Sequence, residues 1–348
     1  MSSETETGGG IALRDIFSNR RLVWKILLGF VVAMVLVYLL ALTVGWNKVL
    51  QTLENADYNW LLVACVSTFI GLATWGKAWQ VVLRVLGIEV PYRRLIVTYL
   101  AATFANYVTP LGQAGGEPFI AYVLSKDTGA NYEDSLASVV TADLLNLLPF
   151  FNFAALGLGF LLLQAQLAGT ARTLSLGLGA LAVGVPVLAY AGWRWREVVE
   201  DGVLALVAPL SRHTQRVTVE GVRRRIDGFY RSLETIAREP RQLVYALVFS
   251  YVGWVFFALP LYFAGRTLGL PISPLLVLFI VPASTLAGLV PLPGGLGGVE
   301  VALVVLLLAL TPIAGSGATA IALVYRLASY WFALGIGGFA TLYVVARS

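Results

Sequence analysis

The sequence predicts an all-α integral membrane protein, folded as a polytopic helical bundle. Of its 348 residues, 58% are hydrophobic and only 12% are charged, against about 25% charged residues in typical soluble domains. The mean hydropathy is +0.81. Several apolar runs reach the roughly 20 residues that a helix needs to cross a bilayer. They are apolar on every side, unlike the alternating strands of a membrane barrel. The runs are 24–44, 60–83, 174–193 and 243–264.

The distribution of basic residues predicts the domain layout and the orientation, because Lys and Arg collect in cytoplasmic loops. Residues 1–21 read as a polar cytoplasmic tail, and 22–348 as a single transmembrane domain. Arg20 and Arg21 precede the first apolar run, and the polar segment 194–241 contains ten arginines. We therefore expect a multi-pass protein of the cytoplasmic membrane with this segment and both termini inside.

Two apolar segments are interrupted by stretches rich in Gly and Pro. Residues 95–125 are broken at 109–118, and residues 274–312 are broken at 290–300. By the charge rule the first segment starts and ends inside, and it is too short for two spans at about 1.5 Å rise per residue. We predict that each segment is a re-entrant helical hairpin whose irregular tip is buried or lines a cavity. Two thin spans remain an alternative for the second segment.

The two broken segments resemble each other and predict two inverted repeats, about 59–163 and 242–346, related by a nearly constant sequence offset. The first repeat begins outside and the second inside. Inverted repeats with broken helices mark the mid-membrane binding site of many transporters. Chance similarity is the alternative, since Gly is frequent throughout the chain. The predicted tip residues are Pro110, Gly112, Gly115 and Gly116 in the first segment, and Pro293, Gly294, Gly295, Gly297 and Gly298 in the second.

Glu117 and Glu300 follow the two tips, where a new half-helix is expected to begin. A carboxylate at a helix N-terminus meets the positive end of the helix dipole and often serves only as a cap. An ionisable residue within an apolar bundle is also a candidate for binding a substrate or a proton. Both interpretations stay open at this point.

Asp143 and Arg326 lie within the helices that follow the two segments, and the same sequence offset separates them as separates the two glutamates. Opposite charges at matching positions of the repeats predict a buried Asp143–Arg326 pair, with either a structural or a functional role. Asn146 and Tyr330 lie one turn away on the same helix faces.

Residues 219–236 carry apolar side chains at spacings of three and four, with arginines on other faces. This pattern predicts an amphipathic helix, lying on the anionic inner leaflet or packed against the bundle. With one Cys and one His, we expect no internal disulfide and no His-rich metal site. The sequence contains no motif of a hydrolase, metalloprotease, nucleotide-binding or P-loop protein, so we expect no cofactor, no nucleic-acid partner and no enzyme activity.

The second tip and the last helix carry a family resemblance. The stretch from Pro293 to Glu300, then Gly315 and Gly317, then Tyr325-Arg326 with Tyr330-Trp331 resembles the transmembrane flippase region of lysylphosphatidylglycerol synthetases (MprF-like). It is also similar to the stand-alone YbhN- and AglD-like membrane proteins. The likeness extends from about residue 24 to residue 347.

This resemblance implies a protein that moves or handles lipids, with Glu117, Glu300 and Arg326 as functional positions. The synthetases continue into a soluble aminoacyl-transferase domain, whereas this sequence ends at Ser348, so we expect no synthesis of lysyl-lipid. The expected substrate is a phospholipid, an aminoacyl-phospholipid or a polyprenyl-phosphate-linked lipid. The alternatives are an accessory protein that partners a lipid- or glycan-modifying enzyme, and an ion or small-solute transporter.

Overall fold

The computed structural model describes residues 46–54, 56–108, 120–121, 124–125, 129–163, 184, 187, 190–192, 194–211, 219–289 and 292–347. These residues form helices and connecting turns without any strand, which confirms the all-α prediction. The helices are α1 (Trp46–Glu54), α2 (Tyr58–Val85), α3 (Tyr92–Val108), α4 (Tyr132–Leu163), α5 (Arg196–Ser211), α6 (Val219–Ala237), α7 (Pro240–Thr267), α8 (Pro274–Thr285), α9 (Gly298–Leu310), α10 (Gly315–Arg326) and α11 (Phe332–Arg347).

Five segments of the described chain are long and apolar enough to cross a membrane, which confirms a multi-pass membrane protein. The predicted runs 60–83 and 243–264 lie within α2 and α7. The run 24–44 and the tail 1–21 lie outside the described residues, as does most of 174–193. The five segments are Tyr58–Val85, Tyr132–Leu156, Pro240–Thr267, Pro293–Leu310 and Gly315–Val344.

Helices α2 and α7 form the most extensive contact between described helices. Small residues bring the two backbones together, as is common in membrane bundles. A Cβ atom added to Gly71 would lie 3.1 Å from the carbonyl oxygen of Gly253. A Cβ atom added to Gly253 would lie 2.4 Å from Cδ1 of Trp75. Larger side chains at these positions would force the two helices apart.

A proline inside α7 creates a polar contact between the same two helices. Pro260 has no N–H, so the carbonyl of Phe256 loses its bond within the helix. The hydroxyl of Ser67 on α2 donates to that carbonyl at 2.7 Å. A neighbouring helix thus satisfies the carbonyl that the proline frees, as apolar surroundings require.

The bundle has two ends that its contacts define. One end, which we call the arginine end, is the end where α2 finishes and where α3, α4 and α7 begin. Helix α6 packs across this end, and the hydroxyl of Ser232 on α6 donates to the carboxylate of Asp134 on α4 at 3.2 Å. At the opposite end, the N–H of Asp57 donates to the carbonyl of Thr267 at 2.8 Å. A Cβ atom on Gly317 there would lie 2.8 Å from Cδ1 of Leu270.

The predicted break at 290–300 is present as an interruption of regular helix. After α8, a short 3₁₀ turn covers Leu286–Leu289, a second covers Pro293–Gly295, and α9 starts at Gly298. In the first half of the chain, α3 is described as far as Val108. The first tip, 109–119, lies outside the described residues.

The last helical stretch extends from Gly315 to Arg347. Helices α10 and α11 are continuous through a π-helical turn at Leu327–Trp331. One extra residue per turn in such a segment changes the direction of the side chains that follow. π-Helical turns within α-helices are frequent at functional sites, and this one directly follows Arg326.

The amphipathic segment 219–236 forms most of α6, and of its two predicted placements the structure has the one against the bundle. Ile236 is 2% exposed and belongs to the same apolar cluster as Leu83 and Leu95 at the arginine end. Gly228 lies against the side chain of Glu133. The apolar face of α6 is therefore buried at Ile236 and half-buried at Val222, Ile226, Phe229 and Leu233.

Candidate functional site

The second tip folds tightly because glycines allow a left-handed backbone in a crowded place. Gly294 has φ 56° and Gly295 has φ 63°, a region that L side chains rarely adopt. A Cβ atom on Gly294 would lie 2.0 Å from Cε2 of Tyr330, and one on Gly295 would lie 2.6 Å from Cα of Gly288. Both positions therefore need glycine for space as well as for conformation.

Glu300 lies in the first turn of α9, immediately after the tip. One carboxylate oxygen, Oε2, accepts the backbone N–H of Gly297 at 2.6 Å. The predicted capping role is therefore present, because this N–H belongs to the unpaired start of a helix. The other oxygen, Oε1, points to a different partner, and the residue is 1% exposed.

Arg326, at the end of α10, is that partner. Its Nε donates to Oε1 of Glu300 at 2.7 Å, and its Nη2 donates to the carbonyl of Gly294 at 2.9 Å. The residue is 8% exposed. The predicted Asp143–Arg326 pair is wrong, since the guanidinium pairs with the carboxylate of Glu300.

Tyr330 completes the cluster from one turn beyond Arg326. The guanidinium carbon of Arg326 lies 4.3 Å from the centre of the Tyr330 ring, within the range of a cation–π contact. The Tyr330 hydroxyl donates to the carbonyl of Tyr107 on α3 at 3.3 Å, and the two rings lie 5.0 Å apart. The second tip is thus joined to the end of α3, close to the predicted first break.

The cluster is a neutral ion pair in apolar surroundings. Nε and Nη2 of Arg326 have acceptors, whereas Nη1 donates to no acceptor among the described residues. Both carboxylate oxygens of Glu300 are occupied. Because a guanidinium binds carboxylate and phosphate in the same two-pronged geometry, Arg326 has the chemistry to exchange one anion for another.

The other predicted site residues lie at the second tip, on α4 or outside the described part of the chain. Gly297 and Gly298 join the tip to α9, and Pro293 is buried in it. Asp143 is half-buried on α4, close enough to Tyr99 of α3 to interact electrostatically. The predicted residues that lie outside the described part of the chain are Pro110, Gly112, Gly115, Gly116 and Glu117.

Asn146 belongs to a helix-packing contact between α4 and α7, separate from the Arg326 cluster. Its side-chain oxygen accepts the hydroxyl of Ser250 in a short hydrogen bond. Its backbone carbonyl accepts Nε1 of Trp254 at 2.9 Å. Pro149 lies inside the following turn of α4 and removes an internal hydrogen bond there. The contacts with Ser250 and Trp254 give Asn146 a role in packing α4 against α7.

Tyr107 and Asn106 are site neighbours that sequence reasoning missed. Tyr107 supplies the carbonyl and ring that face Tyr330. The side-chain oxygen of Asn106 is buried and has no hydrogen-bond partner among the described residues. Their position just before the first predicted break was the available signal, but neither carries a charge.

The fold and the cluster together define a class: a multi-pass helical membrane protein with a buried arginine–carboxylate pair where a membrane-embedded helix is broken. Residues 26–337 match the family model described as lysylphosphatidylglycerol synthase TM region. The chain therefore belongs to this family, which confirms the resemblance that its motifs carry.

Relatives in archaea match the chain over most of its length. A UPF0104 membrane protein of Methanothermobacter thermautotrophicus is 29% identical over 317 residues, which cover 88% of this chain and 92% of the relative. A UPF0104 membrane protein of Pyrococcus horikoshii is 23% identical, with 90% of this chain and 95% of the relative covered. The similarity thus extends over the whole transmembrane region of stand-alone membrane proteins.

Proposed function

We propose that this protein is a flippase-like transporter that moves a lipid with a phosphate-containing head group across the cytoplasmic membrane. The observation that carries the proposal is the buried guanidinium of Arg326 at the second tip, held by Glu300 and Gly294. An ionisable pair in an apolar bundle is costly and is most often retained for function. Membership of the lysylphosphatidylglycerol synthase TM family supports the lipid as substrate.

The proposed chemistry is an exchange of anions on Arg326. In the empty protein Glu300 neutralises the guanidinium, so that no unpaired charge is left in the bundle. A lipid phosphate then binds through Nη1 and replaces the carboxylate on Nε. Glu300, once released, is available for a cationic head group or for a proton. Each state keeps the buried guanidinium paired, which keeps the barrier between the states low.

An inverted repeat is the second part of the proposal, and the spacing of the helices supports it. Helices α2 and α7 have 28 residues each and start at Tyr58 and Pro240. Helices α3 and α8 start at Tyr92 and Pro274. The interval from the start of α2 to the start of α3 therefore equals the interval from α7 to α8. Helices of equal length at equal intervals are the signature of an internal repeat.

The turns that follow α2 and α7 repeat in detail. Gly87 and Gly269 occupy matching positions after the two helices and have φ 75° and 66°. The N–H of Gly87 donates to the carbonyl of Arg84 at 3.0 Å, and the N–H of Gly269 donates to that of Arg266 at 3.2 Å. Two helices thus end in the same glycine motif, which makes a chance match of Gly-rich sequence a poor explanation.

The ends of the two broken segments support hairpins entered from opposite faces. Leu95 and Leu124, at either end of the first segment, belong to one apolar cluster at the arginine end. Leu270 and Gly317, on either side of the second segment, meet at the opposite end. The 12 residues of α8 extend about 18 Å, well short of the roughly 30 Å hydrocarbon core. A chain that enters and leaves at one end, through a first helix as short as α8, fits a re-entrant hairpin.

Reconstitution in liposomes tests the proposal. Proteoliposomes would carry lipids with fluorescent labels on phosphatidylglycerol or phosphatidylcholine, and an impermeant reductant would bleach the outer leaflet. We expect the wild-type protein to deliver label from the inner leaflet faster than protein-free liposomes do. We expect Arg326→Gln to lose this activity, and Arg326→Lys to lose most of it, because an ammonium cannot form the two-pronged contact.

Arg266→Gln is the matched control. Arg266 is exposed in the last turn of α7, and its guanidinium carbon lies 5.1 Å from the centre of the Trp60 ring. This variant should translocate lipid at the wild-type rate. Equal rates for wild-type, Arg326→Gln and empty liposomes would rule the proposal out and leave the accessory role. Uptake of an ion or small solute by the same proteoliposomes, without movement of label, would favour the solute transporter instead.

A further inference from the structure

Helix α5 turns its charged face towards the protein. Arg196 binds Glu234 of α6 at 2.7 Å, and Arg223 of α6 binds Glu200 of α5 at 3.0 Å. Leu204, on the same side of α5, is buried against the protein. The side of α5 that packs on α6 is therefore built mainly from ion pairs, which is the reverse of an amphipathic helix in a soluble domain.

The other face of α5 is apolar and uncovered. Trp195 is 61% exposed and Val198 70% exposed, and Val199 and Val203 are also exposed. At about 100° per residue these four side chains fall within an arc of about 140°. We call these four residues the outer face of α5. Contiguous exposed apolar surface of this kind marks an interaction site.

The outer face continues an apolar surface that approaches from the membrane. Val187 and Tyr190 lie in the apolar run that leads into α5, and both side chains are exposed. Trp195 follows, between the exposed arginines Arg194 and Arg196. Tryptophan is enriched at the boundary between lipid and water, and arginine beside it can reach anionic head groups with its long side chain.

We propose that α5 lies in the head-group region of the bilayer, on the arginine-rich side of the protein, with its outer face in contact with the acyl chains. The occupant of this surface is lipid, because the surface is continuous with the apolar run and flanked by cations. The ion pairs between α5 and α6 hold α6 beneath α5, away from the lipid. This placement belongs to α5 and not to α6, whose described apolar side chains at positions 222, 226, 229, 233 and 236 are half-buried or buried. It does not depend on the proposed function.

Spin labels on single cysteines test the placement in nanodiscs of phosphatidylcholine and phosphatidylglycerol. In a Cys65→Ala background, a label at Val198→Cys should respond to oxygen several-fold more than to a water-soluble nickel chelate. A label at Glu197→Cys, on the charged face one position away, should show the reverse preference. Val199→Cys is the second outer-face site and should behave as Val198→Cys does.

Two outcomes would overturn the proposal. Nickel accessibility at positions 198 and 199 equal to that at 197 would mean that the outer face meets water. Inaccessibility of both outer-face labels to oxygen and nickel alike would mean that protein covers the face, from this chain or from a second copy. Nanodiscs without phosphatidylglycerol separate the contribution of the anionic head groups from that of the acyl chains. If the outer-face labels lie at a shallower depth in these nanodiscs, anionic head groups help to hold the helix.

Discussion

The carboxylate of Glu300 lies 2.7 Å from Nε of Arg326, and both residues are almost completely buried. The two residues belong to the consecutive helices α9 and α10, and Tyr330 lies against the guanidinium. Because both charges are removed from water, each depends on the other for its stability. The predictions on stability and on transport depend on this pair.

Removing one charge of the pair should destabilise the folded protein. We expect Glu300→Gln or Arg326→Gln to lower the free energy of unfolding by about 3 to 5 kcal/mol, because each leaves the other charge buried and unpaired. The double variant should recover part of the loss. Thermal unfolding in detergent of the wild-type protein, the two single variants and the double variant completes a double-mutant cycle.

The exposed pair of Arg196 and Glu234 is the matched control for this cycle. Its N–O distance is also 2.7 Å, but its side chains are 54% and 34% exposed. Solvent-exposed ion pairs contribute up to about 1 kcal/mol, so we expect a small coupling energy there. If the losses in the free energy of unfolding from the Glu300 and Arg326 variants are additive, the buried pair does not act as a unit.

Gly294→Ala should disrupt the second tip by a steric clash as well as by backbone strain. The new methyl group would meet the ring of Tyr330, while Gly87, also at positive φ, has open space around it. We therefore expect Gly87→Ala to cost about 1 to 2 kcal/mol from conformation alone, and Gly294→Ala to cost more. Melting temperatures of the two variants test this, and Gly294→Ala combined with Tyr330→Ala should recover the steric part.

The fold could be predicted from sequence because the bilayer imposes local requirements. A spanning helix needs a continuous apolar run, and each described run that was predicted, such as the ones in α2 and α7, is a helix. The break before Glu300 could be predicted for the same reason, since closely spaced Gly and Pro residues do not continue a helix. These features are visible within a window of about 20 residues.

The partner of Arg326 could not be predicted in this way. Equal sequence offsets related Asp143 to Arg326, but positions that correspond in two repeats need not lie near each other in space. Glu300 is nearer along the chain, and the turn between α9 and α10 lets its carboxylate reach the guanidinium of Arg326. Tyr107 was missed because its contribution is a carbonyl and a ring, and neither gives a charge signal in the sequence.

Ser67 should be needed only because Pro260 interrupts α7. Ser67→Ala removes the donor to the carbonyl of Phe256, and we expect a loss of about 1 kcal/mol. In a Pro260→Ala background the new N–H of residue 260 can bond to that carbonyl, so Ser67→Ala should then cost little. Thr74→Ala is the control, since Thr74 bonds to Ile70 in its own helix and should not depend on Pro260. Equal losses from Ser67→Ala in both backgrounds would contradict the account.

The proposed inverted repeat predicts opposite labelling of the loops that follow α2 and α7. Glu89 follows α2 at the arginine end, and Ser273 precedes α8 at the opposite end; both side chains are exposed. In a Cys65→Ala background, an impermeant maleimide added to intact cells should label Ser273→Cys and leave Glu89→Cys unmodified. Inside-out vesicles should give the reverse pattern, because basic residues such as Arg84, Arg93 and Arg94 flank Glu89 and mark the cytoplasmic face. Labelling of both cysteines from the same side would mean that the repeats are not inverted, whatever the similarity of their sequences.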